Sequence, residues 1–392
     1  MDDFVDWARS RAVAIDDDSP PDALAALDPL VDGKRLAFLG EANHFVHEKY
    51  AFRLRLLRYL AVRGFTLVGE ELSWSDGQLV DRYLDTGDER WLERVSAYGR
   101  VAQRPDGRDD TPTGLLGESW NVERPGFREE QVRFDRGLRA LGLRLFGFDA
   151  DYHPALGYEL LLEWSGRADL SDFDVVEGES LEEEYLRLTK AVAALEAQTD
   201  DAALLRCART LRDSHHYAAL TYPAPTYDAL RPGMARREDL MEEHVEHALA
   251  MHPDERLALM SHCLHLARDD DAIETGAGVG PGGGIAHSLG HRLSHRYRDS
   301  VFSVWMLEGE GRDSQPIRNL TQQVTAPRGT LNHLLSEVGD SFVLPVGAGA
   351  HDALTRPMPV RMMYGSTARV AIADQVDALY FGRYVSPLRA DG

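Results

Sequence analysis

The chain has 392 residues, 43% of them hydrophobic, and carries a formal charge of −22 at neutral pH. An acid excess of this size disfavours nucleic acids and anionic membrane surfaces, whose phosphates call for basic patches, and is compatible with neutral or cationic small-molecule substrates. No apolar run approaches the roughly 20 residues that span a bilayer, and the opening Met1-Asp2-Asp3-Phe4 has neither the basic nor the apolar segment of a signal peptide, so a cytoplasmic protein is expected.

Residues 4–13 read as a helix, followed by an acidic, proline-punctuated linker at 16–21 and a short helix at about 24–30. Then comes Leu36-Ala-Phe-Leu-Gly-Glu41-Ala-Asn-His44, an apolar run of strand length that stops at Gly40 and delivers a carboxylate and an imidazole three residues apart. Behind it, Val46, Tyr50, Leu54, Leu57 and Ala61 recur at close to a helical period. A buried strand thus feeds an amphipathic helix through a polar turn, and in open α/β sheets the crevice at such strand ends is where ligands bind. There a histidine near its ordinary pKa takes a proton from water while a carboxylate fixes its tautomer. A lone E-x-x-H is more often a helix cap with a surface histidine; recurrence of the pattern further along the chain favours chemistry.

A second apolar run begins at Phe65 and ends in Glu70 and Glu71. Helical pieces at 78–84 and 91–98 precede a turn-rich stretch, 104–114, expected to be a flap over the cleft. A helix over about 128–141 leads to a third run from Leu143 to Asp149, with Tyr152 and His153 directly after it. The segment 170–251 is helical (181–195, 202–217 and 236–251) apart from a proline-rich break at 222–227, and is expected to form one wall of the cleft. His215, His216, His244 and His247 fall on its polar faces and are read as surface residues.

Residues 256–260 make a fourth run, ending in Ser261-His262-Cys263-Leu264-His265. The glycine run at 276–284 follows histidines rather than a strand, so it is no dinucleotide fingerprint and is expected to be a second flap. A helix over 285–297 places His287, His291 and His295 four apart on one face. Further strands are expected at 298–305, 340–345 and 376–381. The alternation implies an α/β fold: a largely parallel central sheet flanked by helices, forming a single domain over 1–392 with the 170–251 insertion inside it. Cys207 and Cys263 are too few for a disulfide framework or a structural zinc site.

Four strands therefore end in Glu41 with His44, Glu71, Asp149, and His262 with His265, and the carboxyl ends of parallel strands share one edge of a sheet. These residues also carry a resemblance. Gly40-Glu41-Ala-Asn-His44-Phe, Arg53 in the next helix, Gly64-Phe65 leading to Glu71, Gly147-Phe-Asp149, the run at 236–241, His262-Cys-Leu-His265, Ser288-Leu-Gly290 and the terminal Asp377-Ala-Leu-Tyr-Phe resemble the erythromycin esterase family, in order and over nearly the whole chain. The resemblance implies hydrolysis of a macrolide lactone by a base-activated water, with no covalent acyl-enzyme, no cofactor and no obligatory metal. It makes His44 the base and Glu41 its partner, and puts Glu71, His262 and His265 in the catalytic cleft. Arg53, Asp149 and His287 are the residues expected to meet substrate. No G-x-S-x-G elbow offers an activated serine instead.

The chain departs from the family at Cys263 and Leu289, both expected in the wall near the ester carbonyl, and the departures leave room for natural-product biosynthesis as well as antibiotic resistance. Two other chemistries suit the same residues. His44, His262 and His265 with a carboxylate could ligate zinc or manganese, and the acid–base pair could serve a cyclase or lyase.

Overall fold

Leu36 and Phe38 alternate with Ala37 and Leu39, so the run is apolar on both faces, as a strand buried between two layers must be. The computed structural model bears this out, with Leu36 and Phe38 in one apolar cluster, Ala37 and Leu39 in another, and all four without solvent exposure. It describes residues 2–16, 19–95, 127–151, 154–166, 170–173, 176, 178–221, 227–275, 287–315, 320–347, 349–362 and 366–388. The stretches 104–114 and 276–284, expected as flaps, and Tyr152 and His153 lie outside these.

The strands in chain order are β1 (Val13–Ala14), β2 (Leu36–Glu41), β3 (Phe65–Ser73), β4 (Arg144–Asp149), β5 (Arg256–His262), β6 (Ile273–Thr275), β7 (Val301–Gln315), β8 (Leu320–Val324), β9 (Ser341–Pro345), β10 (Met358–Met362), β11 (Ser366–Val370) and β12 (Ala378–Val385). Nine of them form one sheet in the order β1-β9-β12-β7-β2-β5-β3-β4, with β8 paired to β7. Every pairing from β12 across to β4 is parallel. The antiparallel pairings are β9 with β12, β1 with β9 and β8 with β7. The fold is α/β, as expected.

On one face Ala37 and Leu39 pack with Leu56, Leu57 and Leu60 of the helix His47–Ala61. On the other, Leu36 and Phe38 meet Met241 and Val245 of the helix Tyr227–Met251 and Leu289 and Leu293 of the helix Leu289–Tyr297. Each such fully buried Leu, Val or Phe stabilises the fold by about 1.5–3 kcal/mol, so two-sided burial holds β2 in register and with it the turn that follows. Among the described residues no helix is long and apolar enough to cross a membrane.

Several expectations need correction. β3 does not stop at its carboxylates but runs on to Ser73, with an irregularity in its pairing to β4 between Glu70 and Ser73. The last long helix of the 170–251 segment starts at Tyr227 rather than 236 and tolerates Pro232 in its second turn, at the loss of one backbone hydrogen bond. His215 and His244 are buried rather than superficial: His244 is 1% exposed and donates Nδ1–H to the Phe148 carbonyl at 3.0 Å, and burial drives its pKa well below the usual value. Polar neighbours in sequence gave those helix faces a solvated look, but the face carrying His244 packs against β4.

Candidate active site

Register fixes the floor of the cleft. Glu41 pairs with His262 across β2 and β5, and the Cys263 N–H donates to the Glu41 carbonyl at 2.8 Å. Trp305 and Cys263 can lie this close to β2 because Gly40 has no Cβ; one there would stand 2.9 Å from Trp305 and 3.0 Å from the Cys263 backbone. Beyond it Phe45 takes a left-handed conformation, φ 59°, which costs a non-glycine residue of order 1 kcal/mol.

His44 Nδ1 is 2.7 Å from Glu41 Oε1, and because the carboxylate can only accept, the proton sits on Nδ1 and the Nε2 lone pair is turned away from it. The other oxygen of Glu41 accepts from Arg53 Nη2 at 2.6 Å. Burial raises the Glu41 pKa, but Arg53 and His44 outweigh it and the group stays below the ordinary range, ionised. His44 Nε2 lies 3.9 Å from Glu71 Oε2, a separation a bridging water can close. That same Oε2 accepts from Ser261 Oγ at 2.7 Å and from the His262 N–H at 2.8 Å, while Oε1 accepts from Arg237 Nη2 at 2.8 Å. Burial again works against the charge of Glu71, and His265, His44 and Arg237 hold its pKa well below normal.

His265 Nδ1 donates to Glu238 Oε1 at 2.5 Å, and its Nε2 lies 3.5 Å from Glu71 Oε1 and 3.2 Å from Arg237 Nη1. Burial alone would depress its pKa; Glu238 and Glu71 reverse this and raise it. Arg237 and Glu238, neighbours on the helix Tyr227–Met251, are thus two members of the site to which sequence reasoning gave no role, although they lie in the 236–241 run that carries the family resemblance. Arg237 is forked onto Asp149 (Nε to Oδ1 2.8 Å, Nη2 to Oδ2 2.6 Å), and the second oxygen of Glu238 accepts the Leu289 N–H at 2.8 Å.

The eight residues singled out in the sequence do not all reach the cleft. His262 uses both ring nitrogens on backbone, accepting from Leu264 N–H at 3.2 Å and donating to the Ala42 carbonyl at 2.9 Å; burial pushes its pKa down to about 3, so it is neutral and fully engaged. With both nitrogens occupied it does not suit a His44–His262–His265 metal set. Asp149 has no exposed surface and is bonded to Arg237, while Arg53, 4% exposed, borders the recess beside Glu41. His287 pairs with Asp270 and stacks on His291. The Cys263 and Leu289 side chains are wholly buried in apolar clusters and do not wall the cleft.

The larger surface hollow, about 920 Å³ and lined by Asp81, Arg144 and Trp164, lies by the amino end of β4, the opposite edge of the sheet from the histidines. Glu41, His44, Arg53 and Glu71 line a smaller recess with Tyr50, Met260 and Ser261.

A largely parallel sheet that gathers histidine–carboxylate pairs at its carboxyl edge defines an α/β protein with an acid–base cleft. The sequence profile described as Erythromycin esterase matches residues 157–383, and the chain belongs to that family. The matched span holds Arg237, Glu238, His262 and His265; Glu41, His44 and Glu71 precede it. Among solved structures, a Bacillus cereus protein is similar at 16% identity and TM-score 0.74, with 100% of this chain and 99% of that one covered. A succinoglycan biosynthesis protein is similar at 14% and 0.75 (100% and 98% covered), and a mutant of the erythromycin esterase EreC in its open conformation at 18% and 0.70 (97% and 98%). At these identities the likeness is one of fold. No curated protein matches the chain by sequence.

Proposed function

We propose that the protein hydrolyses an ester or lactone of a macrolide-like natural product, with His44 as general base on water. The observation that carries the reading is the arrangement about His44: Nδ1 pinned to Glu41, Nε2 facing Glu71 at 3.9 Å, and His265 and Arg237 across the same carboxylate. Exposure sorts the roles. The side chains of His44, His265 and Arg237 are 18%, 12% and 11% exposed, against 4–5% for Glu41 and Arg53. The first three meet substrate and the buried ones hold them.

In this scheme a water bridging His44 Nε2 and Glu71 gives its proton to Nε2 as its oxygen bonds to the ester carbonyl carbon. His265 and Arg237 take up the developing oxyanion, a task for which preorganised cationic donors are suited. Collapse of the intermediate breaks the carbon–oxygen bond, and the His44 imidazolium returns the proton to the leaving alkoxide. His262, Asp149 and Arg53 are positioning residues for Ser261–His265, Arg237 and Glu41 respectively. The helical stretch 170–251, which supplies Arg237 and Glu238, is one wall of this cleft. Cys263 and Leu289, set in apolar clusters, give no reason to prefer cyclase or lyase chemistry.

The test is turnover of a panel of macrolides and other natural-product lactones in oxygen-18 water, by wild type and by His44→Asn. One labelled oxygen in the new carboxylate is expected, with a rate about a hundred- to ten-thousand-fold lower in the variant. An unlabelled product, or a folded His44→Asn protein that turns over like wild type, would overturn the proposal.

A further inference from the structure

We propose that Asp270, His287 and His291 form a binding site for one divalent transition-metal ion of the zinc class, distinct from the hydrolytic cleft. Asp270 is 1% exposed, and its two oxygens are differently engaged. Oδ2 accepts the Ser288 N–H at 2.5 Å, while Oδ1 faces two imidazoles, His287 Nδ1 at 3.1 Å and His291 Nδ1 at 3.0 Å. The three donor atoms lie within 4.8 Å of one another, so small side-chain rotations bring each to the ~2.0–2.2 Å of a zinc–nitrogen or zinc–oxygen bond.

A second observation points to a ligand. His291 is 9% exposed, and its Nδ1 has no hydrogen-bond partner although Asp270 Oδ1 is 3.0 Å away. A nitrogen and an oxygen at that distance without hydrogen-bond alignment are placed as two ligands sharing one ion are placed, rather than as donor and acceptor. Helix capping does not account for the cluster. The helix Leu289–Tyr297 is already capped by Ser288, whose hydroxyl accepts from the His291 N–H at 3.3 Å, and Asp270 Oδ2 satisfies the Ser288 N–H, which leaves Oδ1 and both imidazoles surplus to that task.

The chemistry of the donors fits as well. Two neutral imidazoles and a carboxylate make a three-ligand zinc set with a fourth position for water. Burial lowers the His291 pKa and so favours the neutral ring a metal requires. The His287 and His291 rings stack 4.0 Å apart at 7°, which holds the two imidazoles side by side, and His295 lies 4.4 Å beyond. An ion there would lock Asp270 to the turn whose Leu289 and Gly290 N–H groups bind Glu238 and the His265 carbonyl, tying the metal to the support of the cleft without entering it.

The full chain, stripped with chelator and dialysed, is titrated with zinc by calorimetry and with cobalt(II) by visible absorption. One ion per chain is expected, with a rise in Tm on zinc addition, in wild type and equally in His44→Asn. His287→Ala and His291→Ala should bind at least about tenfold more weakly and lose the Tm rise. His287 is 54% exposed in its side chain, so His287→Ala should match the metal-free wild type in Tm and carries the test even where His291→Ala misfolds. No saturable binding by wild type, undiminished binding by His287→Ala, or binding lost in His44→Asn would each overturn the proposal, the last by placing the ion in the cleft.

Discussion

At the scale of single residues the cleft depends on who holds whom, and Glu238 shows this best. Its carboxylate joins the His265 ring to the Leu289 N–H, so one side chain orients the imidazole and, with Glu71, raises its pKa against the burial that would lower it. A raised histidine pKa means that the charge on His265 is fully present below the ordinary value near 6.5 and is lost as pH climbs through the folded value. If that charge meets the oxyanion, activity falls on the alkaline side along the same titration. Glu238→Gln removes one of the two anions and should move the alkaline limb of kcat/KM to lower pH, with the acid limb unchanged. A profile in Glu238→Gln that overlays wild type would show that His265 is held by shape and not by charge.

Whether such a residue is legible in sequence depends on where it sits. Glu41, His44, Glu71, Asp149, His262 and His265 all follow apolar runs, and a strand end is a signal that periodicity can find. Arg237 and Glu238 come from the interior of a long helix whose polar face looks like any solvated one; only the β4 and β5 ends beneath it make that face a wall. Sequence also could not tell a residue that meets substrate from one that holds its neighbour. Asp149 and His262 both end strands, yet one is bonded to the Arg237 fork and the other to two backbone groups.

At the scale of elements, the sheet edge is assembled by strand-to-helix turns, and the one after β4 carries a titration of its own. Asp151 accepts the Ser75 N–H at 3.0 Å at the start of the helix Trp74–Thr86 and is also bonded to the Ser75 hydroxyl. A helix start should favour its charge, but burial dominates, with Asp76 adding to it, and pushes the pKa up to about 7. The sign follows from proton binding: between about pH 4 and pH 7 the folded chain keeps a proton that the unfolded chain has released. Stability from this group is therefore fully present below about pH 4 and is lost by about pH 7, by a few kcal/mol. Asp151→Asn keeps the shape of the protonated acid without its titration. It should flatten the decline in urea midpoint between pH 5 and 8 and be at least as stable as wild type at pH 8; a variant with an undiminished slope, or one weaker at pH 8, would mean that the Asp151 carboxylate is ionised and needed.

Across the whole molecule, the strands missed in sequence are the short ones. β11 pairs with β10 on one side and β6 on the other in a three-stranded sheet, and five-residue strands, one containing Pro359, have too few alternations to stand out. What joins this sheet to the cleft is a buried polar chain. Glu308 of β7, with no exposed surface, pairs with Lys49 of the helix His47–Ala61, accepts from the Asn43 side chain beside His44, and lies 3.6 Å from Arg361 of β10. Asn332 closes the far end, donating to the Glu308 and Arg361 carbonyls at 2.9 and 3.3 Å and accepting the Arg361 N–H at 2.8 Å. Two of the three charged members are 0–1% exposed, so removing one partner leaves the other buried without its counter-charge, which costs about 3–5 kcal/mol, whereas replacing both with apolar groups of similar volume is far milder. Lys49→Met and Glu308→Leu should each lower the urea midpoint sharply. The double variant should recover part of the loss, giving a coupling energy of about 1–3 kcal/mol. Recovery should be incomplete, because Arg361 keeps its charge near the emptied position. If the two losses simply add, Lys49 and Glu308 are independent, and the turn that aims His44 does not rely on their pairing but on contacts such as its backbone bonds to the Met306 and Ser386 carbonyls.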